Sequence, residues 1–355
     1  MIPYIAFASV PMILGLIHQY CNEKNNTKDR KKIFVILLGV VLFFMIAFRS
    51  KYIGSTDSYN YYDNWLTLSK LSWYKVPEFI QNTGMESGFC YIVWAFSRVF
   101  PDPQWAFVLT GVLFSCAVSN FIYRFCEDIF LAFAMYITLG LYTFMIQGMR
   151  QAIAMAILLF ALNSCKKRKL ISFLILVLLA LAFHKTAIIF LPVYFLYGLK
   201  IKPLSLIVSL LGVAGMIACS PYVVSVGQQW FDRTYASKAE SGGFVALLIY
   251  ILILAFVLLF ATKRYEDKDF AFFFFFTLIG ATFYLMRYTG VMIAERISFY
   301  FMFGQMALFP AAINTLAEKE RFFLKFAVYA LILMLFIYRL NGSDLVPFEF
   351  FWQEA

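Results

Sequence analysis

Charge and histidine are scarce in this chain. Only 14% of its 355 residues are Asp, Glu, Lys or Arg, and two are histidine. Soluble domains average roughly 25% charged residues. With 63% hydrophobic residues, no soluble core of this length could hide the apolar surface, whereas a bilayer can. Metal chemistry is equally undersupplied: no Asp/Glu/His cluster has metal-ligand spacing, so neither an obligatory metal nor a cofactor is expected. The six cysteines, Cys21, Cys90, Cys116, Cys126, Cys165 and Cys219, show no CxxC spacing, and most lie in or beside apolar runs. They read as small buried side chains rather than a redox or zinc set. No stretch is polar enough for a soluble domain; the longest polar one lies within 49–86. The first apolar run has its charges after it rather than before it, so it is expected to persist as a span and not to be cleaved as a signal peptide. A net charge of +10 would suggest nucleic acid in a soluble protein. Here the basic residues are topology signals, and no nucleic-acid partner is expected.

What the chain has in quantity is apolar runs. Segments 1–20, 105–123, 170–186, 244–262, 270–286, 297–316 and 322–338 each approach the ~20 residues a membrane helix needs. The fold class expected is all-α: a polytopic integral membrane protein forming a single transmembrane domain over 1–355. Basic blocks set its orientation. Lys24 to Lys32, Lys166-Lys167-Arg168-Lys169, Lys263-Arg264 with Lys268, and Lys319 with Arg321 and Lys325 all read as cytoplasmic under the positive-inside rule.

Between the outer segment beginning at Arg49 and the inner block at Lys166 the number of crossings must be odd, yet four apolar stretches lie there: 87–100, 105–123, 129–146 and 149–163. The first is too short to cross ~30 Å of hydrocarbon. Its Phe89, Ile92, Val93, Phe96 and Phe100 recur at helical spacing between Glu86 and Arg98, as in a helix lying in the outer interface. With that choice the rest alternates. About twelve spans result, with both termini outside, an outer segment over 49–104 holding the interfacial helix, and a second outer loop over 221–243.

This topology collects polar residues at one rim: Arg49, Asp57, Glu86, Gln147, Arg150, Gln151, His184, Lys185, Arg287, Glu295 and Arg296. Charges near the hydrocarbon boundary are costly unless they pair or serve a site. Arginines near helix ends can also snorkel and merely anchor a span. Arg150 sits between two apolar runs with no linker, which favours a site there.

Four patterns carry chemistry. From Arg49 through Ser55-Thr56-Asp57 to Tyr61-Tyr62, small and polar residues surround one carboxylate and several tyrosines. That composition suits a sugar-facing loop and equally a turn-rich extracellular one. In Gln147-Gly148-Met149-Arg150-Gln151, a small residue precedes an arginine at the outer start of a helix, where backbone N–H groups and a guanidinium can both aim at a phosphate. Phe183-His184-Lys185-Thr186 closes the next span. Arg287 precedes a glycine-containing turn that leads to Glu295-Arg296 and Tyr300.

Taken in order, these patterns resemble the EpsG family, which groups with the Wzy-type O-antigen and capsule polymerases; the resemblance runs from about residue 30 to 305. It implies a polysaccharide polymerase whose partners are undecaprenyl-diphosphate-linked oligosaccharide, the lipid bilayer and other polysaccharide-export proteins. The implied location is the bacterial cytoplasmic (inner) membrane, with the active site facing the periplasm or cell exterior. It also implies a fold related to the GT-C membrane glycosyltransferases. In such a reaction Arg150, Arg287 and Arg296 would hold the diphosphate, with Arg49 and Lys185 in support. Asp57 would be the general base, by resemblance to the acidic residue in the first outer loop of GT-C enzymes. Glu295 is second in line, or else holds Arg296 in place. His184 would orient a phosphate or shuttle a proton, although a hydrogen-bonded interfacial histidine is an equal reading. Gln147, Gln151, Tyr61 and Tyr62 would line the sugar. Other classes are a ligase or another outer-face glycosyltransferase, a lipid-linked oligosaccharide flippase or other transporter, and a membrane O-acyltransferase. Transporters usually carry internal repeats and mid-membrane polar residues; no repeat is found here and the polar residues sit at the rim.

Overall fold

The computed structural model describes residues 1–20, 28–220, 222, 243–289 and 291–354. Among them the regular elements are helices. In chain order these are α1 (Ile2–Tyr20), α2 (Lys28–Ala47), α3 (Ser55–Lys70), α4 (Val76–Thr83), α5 (Ser87–Val99), α6 (Trp105–Phe125), α7 (Ile129–Thr138), α8 (Leu141–Gln147), α9 (Met149–Lys166), α10 (Leu170–Phe183), α11 (Val193–Leu196), α12 (Pro203–Ala218), α13 (Phe244–Phe260), α14 (Lys268–Met286), α15 (Met292–Ile313) and α16 (Glu318–Leu340). The all-α expectation holds. The expected outer loop at 221–243 falls, apart from Tyr222 and Gly243, outside the described residues.

Among the described residues, four stretches are long and apolar enough to cross a membrane: Ile2–Tyr20, Trp105–Phe125, Lys268–Thr289 and Glu318–Leu340. The pair α7 and α8 makes a fifth if taken together, bent by 51° at its break. The sequence reads 129–146 as one apolar stretch, counted as a single crossing. The interruption falls at Gly140, whose φ of +108° is left-handed backbone that glycine enters at little cost. A chain with these apolar helices is a membrane protein.

The helices group into two compact units. The first comprises 1–124, 129–191 and 325–355. Its centre is α9, where Gln151 through Leu159, Ala161, Leu162 and Cys165 are buried. A helix apolar on every side belongs in an interior, and Ala152, Ala154, Ala156 and Ala161 let neighbours approach its backbone. Beside it α10 buries one stripe, Phe173, Val177, Ala180 and Phe183. Its other face exposes Ile171, Ile175 and Leu178, side chains suited to lipid rather than water. The amphipathic helix expected over 87–100 is α5, packed on α3 and α10.

The segment 49–104 is not a loop. It folds mainly as α3, α4 and α5, and the stretch read as turn-rich becomes helical from Ser55. Ser58, Tyr61, Trp65 and Leu68 are buried, a 3–4–3 spacing that marks one helical face. The tyrosine- and asparagine-rich opposite face masks that stripe in the composition. The C-terminal tail clasps the approach to α3: Arg49 and Phe350 form a β-bridge, the Ser50 N–H donates to Glu349 O at 2.9 Å, and the Phe351 N–H to Phe48 O at 3.0 Å.

The second unit comprises 125–128 and 192–324. Its centre is α14, in which Phe270 and Phe272 through Phe276 are all buried. The Asp267 carboxylate starts the helix by accepting from the N–H groups of Asp269 at 3.0 Å and Phe270 at 3.2 Å. Helices α11, α12, α13 and α15 pack against it.

Candidate functional site

In the first unit the chain is broken at two places that the sequence marks, and both breaks deliver a polar side chain to one spot. Helix α8 ends at Gln147, and a Cβ on Gly148 would come within 3.1 Å of the Phe144 ring. Glycine therefore permits the tight passage into α9, which starts at Met149 and sets Arg150 in its first turn. The first N–H groups of a helix point out of its end; here that of Arg150 lies 3.5 Å from the Tyr61 hydroxyl and that of Ala152 donates to Gly148 O at 2.9 Å. The second break is at His184, where α10 gives way to extended backbone before a short 3-10 stretch, Lys185–Phe190.

Glu86, immediately before α5, joins the two. Its Oε1 lies 3.0 Å from His184 Nδ1, and its Oε2 accepts a hydrogen bond from Arg150 Nη1. The three side chains are only 9–16% exposed. Burial by itself would raise the Glu86 pKa, but the His184 hydrogen bond and the Arg150 charge outweigh it and hold the carboxyl at about 2. Glu86 therefore stays ionised, and Arg150 Nη1 is fixed by it. Arg150 Nε is buried without a hydrogen-bond partner. Nearby Cys90 is buried, and that burial pushes its thiol up to about 11, against the opposing pull of Arg150.

A cavity of about 370 Å³ adjoins this cluster. Met149 and Phe183, the residues just before Arg150 and His184, line it together with Tyr61 and apolar side chains of α3, α5, α6, α9 and α10.

The other residues singled out by sequence separate into distinct environments. Asp57 is exposed in the first turn of α3, one turn before Tyr61 and so on the same side of that helix. Tyr62 is half-buried beneath the Lys51 ammonium, 4.9 Å from the ring centre. Gln147 rests against Gly54, and Gln151 is buried in α9. Lys185 is exposed. Arg49 is 1% exposed and bonds inward: Nη1 donates to Ile46 O at 3.2 Å, Nη2 to Ile146 O at 3.0 Å and to Ser58 Oγ at 3.2 Å. Its guanidinium also lies 3.9 Å from the Phe107 ring centre. These contacts tie α2, α3, α6 and α8 together.

In the second unit Arg287, at the end of α14, is buried and donates to Glu295 Oε1 at 2.9 Å. Glu295 thus engages the arginine eight residues before it, whereas adjacency in sequence pairs it with Arg296. Arg296 is exposed. A Cβ on Gly243 would come within 2.5 Å of Arg287 Nη1, so that guanidinium lies directly against main chain.

A family model, described as the EpsG family, matches residues 6–350. The chain belongs to the EpsG family. That is the family of Wzy-type polymerases and exopolysaccharide glycosyltransferases, so an EpsG chain has a role in polysaccharide biosynthesis as a glycosyltransferase or polymerase. No curated protein and no solved structure matches this EpsG chain. Sequence reasoning gave Glu86 no role beyond its place at the rim. The signal that could have found it was a carboxylate opening a short amphipathic helix, in a chain with only two histidines and two rim blocks in want of an anion.

Proposed function

We propose that this EpsG protein is a polysaccharide polymerase, transferring a growing glycan from undecaprenyl diphosphate to a lipid-linked repeat unit at the outer face of the bacterial cytoplasmic membrane. The observation that carries the reading is the Arg150 guanidinium, oriented by a Glu86 that also engages His184, in the first turn of α9 and beside an apolar cavity. A phosphate on a lipid needs that combination of donors and hydrocarbon.

In the reaction a sugar hydroxyl of the acceptor attacks the anomeric carbon of the donor glycan. The new glycosidic bond forms as the bond from that carbon to the diphosphate oxygen breaks, and the hydroxyl proton passes to a carboxylate. Asp57, one turn from Tyr61, takes this proton and passes it to solvent. Undecaprenyl diphosphate departs with the charge, which Arg150 and the first-turn N–H groups of α9 stabilise. With Nδ1 of His184 engaged by Glu86, its Nε2 is the nitrogen left for a phosphate oxygen or a proton. Exposed Lys185 supplies a further cation beside His184, and within the second unit Arg287, held by Glu295, and exposed Arg296 are proposed as phosphate-binding cations of that unit. Gln147 and Tyr62 complete the sugar-facing surface; Gln151, buried in α9, lies behind the turn that carries Arg150. Arg49 supports the site by holding α3 against α8.

The topology proposed is twelve crossings, using the bent pair α7 and α8 and the shorter apolar helices as spans. Two features within the units support it. The Lys166–Lys169 turn lies at the opposite end of α9 and α10 from Arg150 and His184, and Lys263-Arg264 lies at the opposite end of α14 from Arg287. A GT-C-like fold is part of the same reading. The test is purified protein in liposomes with a lipid-linked repeat. Released undecaprenyl diphosphate with a ladder of lengthening glycans supports polymerase. A single transfer to a different acceptor means ligase, and translocation without new bonds means flippase. A cysteine at Lys70 should react with an impermeant thiol reagent on whole cells in a cysteine-free background, and one at Lys263 should not.

A further inference from the structure

The cavity beside Arg150 has almost no polar lining. Its polar groups are those of Tyr61, Trp65 and Thr110; the Trp65 indole N–H is spent on Phe100 O at 3.0 Å, and the Thr110 hydroxyl is spent within its own helix, donating to Ala106 O at 2.8 Å. A sugar or peptide placed there would lose its hydration without regaining hydrogen bonds. Hydrocarbon loses nothing. The volume of about 370 Å³ falls within the ~300–1,000 Å³ of small-molecule sites.

The cavity also has direction. One end adjoins the charged cluster through Met149, Phe183 and Tyr61, whose hydroxyl is 3.5 Å from Arg150 N. Elsewhere its wall includes Ile92, Phe96 and Leu179, which are 41–44% exposed, so its apolar lining continues onto the outer faces of α5 and α10. A ligand that fits both ends is an amphiphile with a phosphate at one end and a long hydrocarbon tail that leaves sideways.

We propose that this groove is the tail subsite of the lipid substrate, seating the phosphate-proximal isoprene units of a polyprenyl phosphate or diphosphate while Arg150 holds the phosphate. The assignment rests on the lipid-linked reading above and extends it to a place and a set of walls. Bulk phospholipid is the competing occupant. The substrate tail is preferred because the groove ends at an arginine already oriented by a buried carboxylate, where a head group is held in one position.

The experiment needs no glycan transfer, so it is independent of whether the protein polymerises, ligates or flips. A polyprenyl phosphate carrying a photoreactive group on its second isoprene unit is incubated with the full-length protein in nanodiscs and irradiated, and the labelled peptides are sequenced. Label should fall on 89–96 and 149–157, be competed by unlabelled polyprenyl phosphate, and resist excess phosphatidylglycerol. Filling the groove with Ile153→Trp or Leu113→Trp should cut labelling at least tenfold, since each methylene kept from apolar contact is worth about fourfold in affinity. Two positions are used so that a variant with a lowered melting temperature can be set aside in favour of the other. Labelling elsewhere, or undiminished labelling in a folded groove-filling variant, overturns the proposal. Equal competition by phosphatidylglycerol overturns it too and makes the groove a bilayer-lipid site. If the label maps as expected and no glycan bond forms in liposomes, the tail subsite stands and the polymerase reading falls.

Discussion

Arg49 and Arg150 stand in the same unit, both in motifs that sequence alone marks as site candidates, and their surroundings could hardly differ more. Arg49 is closed in, its two terminal nitrogens spent on Ile46 O, Ile146 O and Ser58, with the Phe107 ring against it. Arg150 keeps 15% of its side chain exposed, pairs with a carboxylate shared with a histidine, and adjoins an open apolar cavity. Nε of each lacks a hydrogen-bond partner, so that feature does not separate them. What separates them is the partner: backbone carbonyls fix a scaffold, whereas an ionised glutamate in a half-open cluster orients a guanidinium and leaves room for a ligand.

The largest effect is expected on the reacting side. Asp57→Asn keeps the size and cannot take a proton, so turnover in liposomes should fall about 10²–10⁴-fold with the melting temperature unchanged. Full turnover would remove Asp57 from the role of base. Arg49→Ala should behave oppositely. It removes the donors to Ile46 O, Ile146 O and Ser58 Oγ, of which Ile146 O alone keeps another, the Ser58 hydroxyl at 3.1 Å. At ~1–3 kcal/mol for a buried group that loses its partner, melting should drop by several degrees or more while turnover per folded molecule changes little. A stable Arg49→Ala with lost turnover would put Arg49 in the site and erase the distinction between the two arginines.

The cluster was only partly legible in the sequence. Arg150 at a helix start and the break at Gly148 could be read, because both are local. The short helix at 87–99 could be read from periodicity. Glu86 could not be assigned, since it meets its partners across 64 and 98 residues of chain, and no pattern in one sequence pairs positions so far apart. The burial of Arg49 and the clasp of the C-terminal tail were hidden for the same reason. The helix α3 was missed for another: its exposed face is rich in Tyr, Asn and Asp, so a period of buried Ser58, Tyr61, Trp65 and Leu68 was read as a turn-rich loop.

A smaller effect follows from Glu86. Its carboxyl titrates at about 2 in the folded protein against an ordinary 4.5. The stabilisation this represents, roughly 3 kcal/mol by linkage, is fully present above the ordinary value and is lost as the pH falls from about 4.5 through about 2. Melting in detergent should therefore fall in that window more steeply for the native protein than for Glu86→Gln. Parallel curves would mean that the cluster does not hold together. The smallest effect belongs to Lys51 and Glu354, which pair at 3.1 Å and are each 20% exposed. Glu354→Gln should cost under about 1 kcal/mol and leave turnover intact; a large loss would make the C-terminal clasp part of the site.

The central claim is that Arg150 holds a phosphate and does not merely anchor α9 at the membrane surface, and Arg150→Lys tests it most directly. Lysine keeps the charge and reaches an interface as easily, but it cannot make a two-pronged contact with phosphate while remaining bonded to Glu86. Turnover of Arg150→Lys in liposomes with a lipid-linked repeat, measured beside its melting temperature, should fall about 10²-fold or more with the fold intact. Wild-type turnover in that variant would contradict the account.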